Sequence, residues 1–480
     1  MLHFLLIFLF GTLSLDAIAL KTQNTSICLD SNFEAFVDKN TNAHTWNSCQ
    51  WTHKDMILHP SYLRFPSSED PNDTQPQSAP FDIAFRCYHV PDEICQKAER
   101  AFKKAGEIIA SVILFRESVR VNATLMSFCA VGNECNKKMM TLGGSSPARA
   151  MPLVNDDGLL RLHPQALVKQ FGLSDHPAFA PYDILSVFNA DAPFWFEEDG
   201  LAIGPNQADF TFVVLHEFMH GLGFYSGWNQ YISSKALTPD PSPFLANQLL
   251  LLMNPMTNAI HPSQFLESAM DRLMGILNYD QQGKTPTGTQ TLISDLTRRL
   301  NQIQASTLSD LADSSDFSIA HTMYQYATTP GSLGVFVSSE EAPVILETEL
   351  QPYQPGSSIS HVAFKEYTNT PEFLMRYMQD RGLSLSSAVE RGGGNGPIGP
   401  LLLRILEHMG YSTVDKPNVI PPLLIFQRQD IGFPFSKVNS RKSKHFIDQV
   451  IQPDLYTSAS VQHKASFHLL LLTIFLYIFV

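Results

Sequence analysis

The sequence predicts an α+β fold, and three stretches carry that prediction. Residues 96–111 are rich in helix-forming Ala, Lys, Glu and Ile; Val119–Leu125 alternates in the manner of a strand; and residues 207–222 form a long apolar run opened by a capping Asp209. Helix and strand patterns of this kind, mixed along one chain, read as a two-layer α+β body rather than as a bundle or a sandwich. The chain has 480 residues, 44% apolar and only 16% charged, with a formal net charge of -13. Such a composition excludes a disordered acidic tail protein and gives no basic footprint for nucleic acid.

The first residues, Met1–Phe10, are apolar apart from His3, and Ala17-Ile18-Ala19 follows as a small-residue cleavage site. Residues 1–19 are therefore expected to be a secretory signal peptide. Residues 20–80 follow as a Cys-containing segment with a Pro-rich polar linker at 66–80, and could be a small module or a propeptide. The six cysteines, Cys28, Cys49, Cys87, Cys95, Cys129 and Cys135, all lie in the first third of the chain. An even number on a secretory route predicts up to three disulfides, with connectivity left open. Sequons at Asn24, Asn72 and Asn122 agree with that route and are glycosylation candidates.

Beyond the linker, the helix at 96–111 and the strand at Val119–Leu125 are followed by a second strand at Ile184–Ala190. The 207–222 run places Phe210, Val213, Val214, Leu215, Phe218, Met219 and Leu222 around most of a helix, which predicts a buried one. Residues 227–355 read as mostly helical, with helices expected over Leu245–Met253, Phe265–Leu277 and Gln290–Leu311, and an extended stretch at 334–349. A Gly-rich turn at Gly392–Gly396 precedes a last helix, Leu401–Met409.

Residues 413–460 are Pro-punctuated and read as a stalk. The tail from Phe467 to Val480 is apolar apart from His468 and Thr473; as a helix it would span ~21 Å, short of a ~30 Å hydrocarbon core. Upstream stand the small residues Ser458, Ala459 and Ser460 and a polar spacer, the order of a GPI-attachment signal over 461–480.

The chemistry lies in the buried helix. His216-Glu217-Phe218-Met219-His220 sets two imidazoles one turn apart on one helix face, with a carboxylate beside them. A shuffled chain of this composition would contain this pattern about 0.02 times. Two histidines and a glutamate are costly to bury in an apolar helix unless they bind something, and the pattern points to one Zn²⁺ per chain with Glu217 as the general base. Gly223 is placed to end the helix in a left-handed conformation. A catalytic zinc takes three protein ligands, so a third must be found. Position 226, three residues beyond Gly223, is a serine; the next glutamate is Glu267, in no recognisable motif; and His261, His321, His361 and His408 all remain open.

His216-Glu217-x-x-His220-x-x-Gly223 opens the metzincin signature. Together with Gly356-Ser357-Ser358-Ile359-Ser360-His361 and Glu372-Phe373-Leu374-Met375, it resembles leishmanolysin and related secreted zinc proteases, as well as secreted bacterial and fungal proteins with the same His-Gly-Leu-Gly-Phe run. The resemblance covers 181–226 and 351–411. It implies a metzincin-like zincin core, a mixed sheet plus active-site helix, with a large insertion before the third ligand. It also implies that His361 is that ligand, that Met375 forms a Met-turn floor, and that the protein is a GPI-anchored cell-surface zinc endopeptidase acting on protein or peptide substrates. Met375-Arg376-Tyr377 further resembles the Met-x-Tyr of astacin-like enzymes, which implies an oxyanion role for Tyr377. The expected organisation is then a catalytic subdomain at 81–226, an insertion at 227–355, a second catalytic subdomain at 356–412 and the two C-terminal segments above, in a monomer attached to the membrane by lipid. The alternative reading is a non-catalytic zinc-containing adhesin on the same scaffold.

Overall fold

A computed structural model describes residues 25–32, 44–53, 80–132, 140–242, 264–279, 286–288, 291–305, 308–338, 341–424 and 476–479. The expected signal peptide, Asn24, Asn72, Cys135, His261, the Leu245–Met253 helix and Ser458–Ser460 lie outside these residues.

Strands β1 (Thr25–Ser31) and β2 (His44–His53) form an antiparallel hairpin clasped by a Cys28–Cys49 disulfide. β3 (Phe81–Tyr88), α1 (Asp92–Ala110) and β4 (Val119–Met126) make a β-α-β unit with parallel strands. β5 (Thr141–Pro147), β6 (Arg149–Val154), β7 (Leu160–Pro164), α2 (Gln165–Phe171) and β8 (Asp175–Pro177) come next. β9 (Ile184–Asn189) then leads to α3 (Phe210–Gly221). The rest of the described chain adds β10 (Asp240–Ser242), β11 (Gln264–Ser268), β12 (Met274–Ile276), α4 (Ile293–Leu300), α5 (Leu308–Ala312), α6 (Ser318–Ala327), β13 (Leu333–Val335) and β14 (Val344–Ile345). α7 (Leu385–Arg391), α8 (Pro400–Met409) and β15 (Leu476–Phe479) close it.

The protein is thus a mixed α+β molecule. One sheet has the order β15-β5-β9-β4-β3, in which β3, β4 and β9 run parallel and β5 runs antiparallel. The other has the order β10-β11-β7-β6-β1-β2-β8. Helices α1 and α3 pack on the first sheet. The buried residues of α1 (Ala98, Ala101, Phe102, Ala105, Ile109) recur at helical spacing, and Phe102 meets Phe188 of β9 and Phe210 and Phe218 of α3 with ring centroids 5.1, 5.5 and 6.1 Å apart. Gly221 lets α3 lie against β9: a Cβ there would come within 2.4 Å of Ile184 Cγ2.

Three expectations are corrected. The described parts of 20–80, residues 25–32 and 44–53, do not stand apart from the body, because β1 pairs with β6 and the Asp30 carboxylate is bound bidentately by Arg149. The described part of 227–355 is mixed rather than mainly helical. Phe265–Leu277 is not one helix: β11 pairs with β10 and β7, a turn at Asp271–Leu273 follows, and β12 pairs with β13. Long-range strand pairing there overrides local helix propensity. The Gln290–Leu311 helix is likewise two short helices, α4 and α5. Finally, a stalk does not begin at 413. Leu423 is buried, and the Pro422 carbonyl accepts from both Asp156 N and Asn155 Nδ2, so the chain is packed on the body as far as 424.

The Cys87–Cys95 disulfide joins β3 to α1, and Cys129 is also disulfide-bonded. Among the described residues no helix is long and apolar enough to cross a membrane.

A candidate metal centre of three histidines

Helix α3 starts where the sequence says it should. Asp209 accepts from Phe212 N with one carboxylate oxygen and from Leu385 N with the other, so one side chain caps the helix and ties it to α7. The helix is completely buried, His216, Glu217 and His220 included. At its far end Gly223 takes φ +114, and a Cβ there would meet Met409 and Pro164 at 2.8 Å. The Tyr411 hydroxyl, just past α8, donates to Leu222 O and fastens this exit.

His361 arrives from the other half of the chain and is also fully buried. Two neighbours fix its segment. Glu347 N donates to His361 O, and Ile359 N donates to Glu347 O. On the other side Val362 N donates to Met375 O. The expected Met-turn is a 3-10 turn, Phe373–Met375, with Met375 fully buried. Phe373 packs edge-on against Phe212 of α3. Glu372 just before it accepts from Leu401 N and Leu402 N, capping α8.

The three imidazoles converge. His216 Nε2 lies 3.1 Å from His361 Nε2, His220 Nε2 lies 3.0 Å from His216 Nε2, and His220 Nε2 lies 3.1 Å from His361 Nε2. Each opposite nitrogen donates to a backbone carbonyl: His216 Nδ1 to Leu374 O at 2.7 Å, His220 Nδ1 to Phe224 O at 2.6 Å and His361 Nδ1 to Ser357 O at 3.0 Å. A carbonyl can only accept, so every Nδ1 carries the proton and every Nε2 presents a lone pair. Burial holds the His216 pKa down to about 4, and burial with mutual repulsion holds His220 and His361 well below the usual value. At neutral pH, then, three lone pairs face one point with no proton among them, an arrangement that a cation would relieve.

The donor set fits zinc. Tetrahedral ligation at ~2.0–2.1 Å requires nitrogen–nitrogen edges of about 3.3–3.4 Å, a few tenths of an ångström from those here. The carbonyl partners are the outer-shell groups that orient metal-bound histidines. Among the described residues these three histidines are the group whose ligand atoms lie close enough to share an ion.

The other candidates lie elsewhere. His321 is exposed and bonds to Lys235 O; His408 is exposed and bonds to Arg404 O. Glu267 is buried in an ion pair with Arg161 and bonded to Ser294 and Thr297. Cys28 and Cys49 are spent on a disulfide, so neither offers a thiolate. Tyr377 packs on Phe364 at 5.5 Å between ring centroids, and burial together with the charges of Glu347 and Glu349 raises its pKa. Those contacts place it beside the segment that follows His361. Asn122 sits in mid-strand on β4, partly exposed, with its side-chain oxygen buried.

Residue reading missed the supporting groups. Leu374, Phe224 and Ser357 act through backbone carbonyls and carry no side-chain signal. Arg376 is buried, donates to Phe373 O, Thr368 Oγ1 and Asp380, and lies over the Phe364 ring at 4.7 Å, which fixes the Met-turn. Its place two residues before a polar Met378-Gln379-Asp380 gave no hint of this role.

Fold and site together define an α+β protein with a buried three-histidine centre. The chain belongs to the SPBPB7E8-like family, whose model matches residues 16–439 and so spans all three histidines. It is 31% identical over 362 residues to PB7E8.01, an uncharacterized protein of Schizosaccharomyces pombe. That similarity covers 69% of this chain and 63% of the relative, so the chain matches somewhat less than two thirds of the relative's length. No solved structure matches the chain.

Proposed function

We propose that the protein is a secreted, lipid-anchored zinc endopeptidase of metzincin type. The observation that carries the reading is the convergence of the three Nε2 atoms, each with its Nδ1 proton committed to a carbonyl, on the helix that also bears Glu217. The sheet supports it too: three parallel strands and an antiparallel strand lie against the helix that carries two of the histidines. The turn ending in Met375, which holds His216 from below, fits the Met-turn of the same class.

His216, His220 and His361 would hold the ion through Nε2. When bound, zinc supplies Lewis acidity, which lowers the pKa of a water toward ~7 and polarises an amide carbonyl. Glu217, one residue after His216 on the same helix, would act beside the ion and not as a ligand. Its carboxylate takes a proton from the attacking water and delivers it to the leaving amine nitrogen. The edge of β5 bears β15. Release of 461–480 on anchoring would free that edge to pair with an extended peptide.

The test is the purified secreted protein and its Glu217→Gln variant. Both should carry about one zinc per chain, because the base is not a ligand. Only the wild type should cleave a peptide library. Zinc without cleavage in the wild type would favour the adhesin alternative, and cleavage by the variant at the wild-type rate would refute the role of Glu217.

A further inference from the structure

The 227–355 segment contributes none of the three histidines, yet a carboxylate within it reaches both halves of the triad. We infer that Asp271 is a positioning residue that sets His220 and His361 relative to one another; this rests on the reading of the triad as a metal centre.

Asp271 is fully buried. Its Oδ2 accepts from Gly227 N at 2.9 Å and from Ser268 N at 2.8 Å, and the Ser226 hydroxyl interacts with the same carboxylate. Ser268 Oγ in turn donates to Tyr225 O at 2.9 Å. Residues 225–227 are therefore tied to 268–271 through consecutive backbone groups. The contact is direct: a Cβ on Gly227 would stand 3.0 Å from Ser268 N and 3.1 Å from Asp271 Oδ2.

Residues 225–227 are also the link between the two parts of the site. The residue before them, Phe224, supplies the carbonyl that holds His220 Nδ1. Within them, Ser226 N donates to Ser360 Oγ at 3.1 Å, and Ser360 precedes His361. The two histidines are 141 residues apart in sequence and must agree in position to a few tenths of an ångström to share an ion. The Asp271 carboxylate fixes the backbone on which both depend. Only an oxygen with free lone pairs can receive two N–H groups at once here, and an apolar side chain would leave both donors buried and unpaired.

The test measures metal binding and geometry rather than turnover. Zinc affinity is measured by chelator competition, and the cobalt-substituted protein is examined for its visible d–d band, which reports coordination geometry. Asp271→Leu should weaken zinc binding by about 10–100-fold, the usual cost of losing an outer-shell partner, and shift the cobalt band. Asp271→Asn keeps an oxygen for the same two N–H groups and should restore both. Ser360→Ala cuts only the His361 side; it should weaken binding and shift the band in a protein that still folds cooperatively without metal, with its midpoint lowered by the one lost acceptor. A folded Asp271→Leu protein with wild-type affinity and band overturns the inference, as does an Asp271→Asn protein as impaired as the leucine variant. Where Asp271→Leu fails to fold, Ser360→Ala decides: wild-type affinity and band in that variant overturn it. A wild-type protein that takes up neither metal refutes the metal centre itself, a result seen before any variant is compared.

Discussion

Substituting His361 with alanine tests the site most directly, and the structure sets the size of the effect. Its Nε2 is one of three lone pairs held 3.0–3.1 Å apart, so the variant leaves the ion with two ligands on one helix turn. Structural zinc sites bind with roughly 10–16 kcal/mol over four ligands, or about 2.5–4 kcal/mol for each. Loss of one should raise the zinc Kd by about 10²–10³-fold. A second readout follows by linkage. At free zinc 100 times the wild-type Kd, binding stabilises the fold by about 2.7 kcal/mol; in the variant, under the same zinc, that falls below about 0.5 kcal/mol. Chelator competition gives the first number, and denaturation with and without zinc gives the second. His321→Ala is the control, because that residue is exposed and bonded to Lys235 O. A His361→Ala protein whose zinc Kd lies within about threefold of wild type, a difference under ~1 kcal/mol, would refute the three-histidine reading.

Three further outcomes are expected. Gly221→Ala should destabilise the protein by about 1–3 kcal/mol in urea denaturation, because the new methyl overlaps Ile184, and Ile184→Ala should recover part of that loss in the double variant. His163 is fully buried with its pKa lowered to about 3 by burial, so the stability it contributes is complete above the unfolded value of ~6.5 and is lost as pH falls. His163→Gln should flatten the acid limb of the stability curve between these limits by up to about 1.4 kcal/mol per pH unit, whereas Asp240→Asn should steepen it between about 4 and 7, since burial raises the Asp240 pKa to about 7 and the native state there binds the extra proton. Phosphatidylinositol-specific phospholipase should release the protein from cells, and mass spectrometry should find no peptide from 461–480; retention with an intact C-terminal peptide defeats the anchor.

What the sequence discloses and what it hides divide along physical lines. Helix α3 is legible because its signals are local: a capping Asp209, an apolar surround and a closing Gly223 all act within a turn of their own position. The strands at 119–126 and 184–189 are legible for the same reason, through their β-branched runs. Phe265–Leu277 misleads because its apolar content suits a helix, while its pairing partners β10, β13 and β7 lie about 24, 59 and 106 residues away along the chain, beyond any local pattern. The N-terminal hairpin is hidden likewise, since nothing near Cys28 or Asp30 announces Arg149. In the site, the histidines and Glu217 are visible as side chains, but the carbonyls of Leu374, Phe224 and Ser357 are not. Asp271 and Ser360 look like ordinary turn residues until the chain is folded.

The distance between His220 and His361 in sequence explains why so much of the support comes from 227–355. A third ligand at position 226 would close a loop of about six residues; the observed one closes 141. For a flexible chain the longer closure costs about 3 kcal/mol more. Among the intervening residues, the described ones offset this by gripping the returning segment. Leu346 pairs with Val362, Glu347 brackets His361 through the backbone at 359 and 361, and its carboxylate accepts from Phe364 N. Asp271 fastens the helix exit at the other end of the same segment. The segment therefore does at both ends what a short loop would do by length alone. If the triad holds zinc as proposed, a substitution that loosens β13–β14 or the Asp271 turn should act on zinc affinity from a distance, through the position of His361, while leaving His216 and His220 on an intact helix.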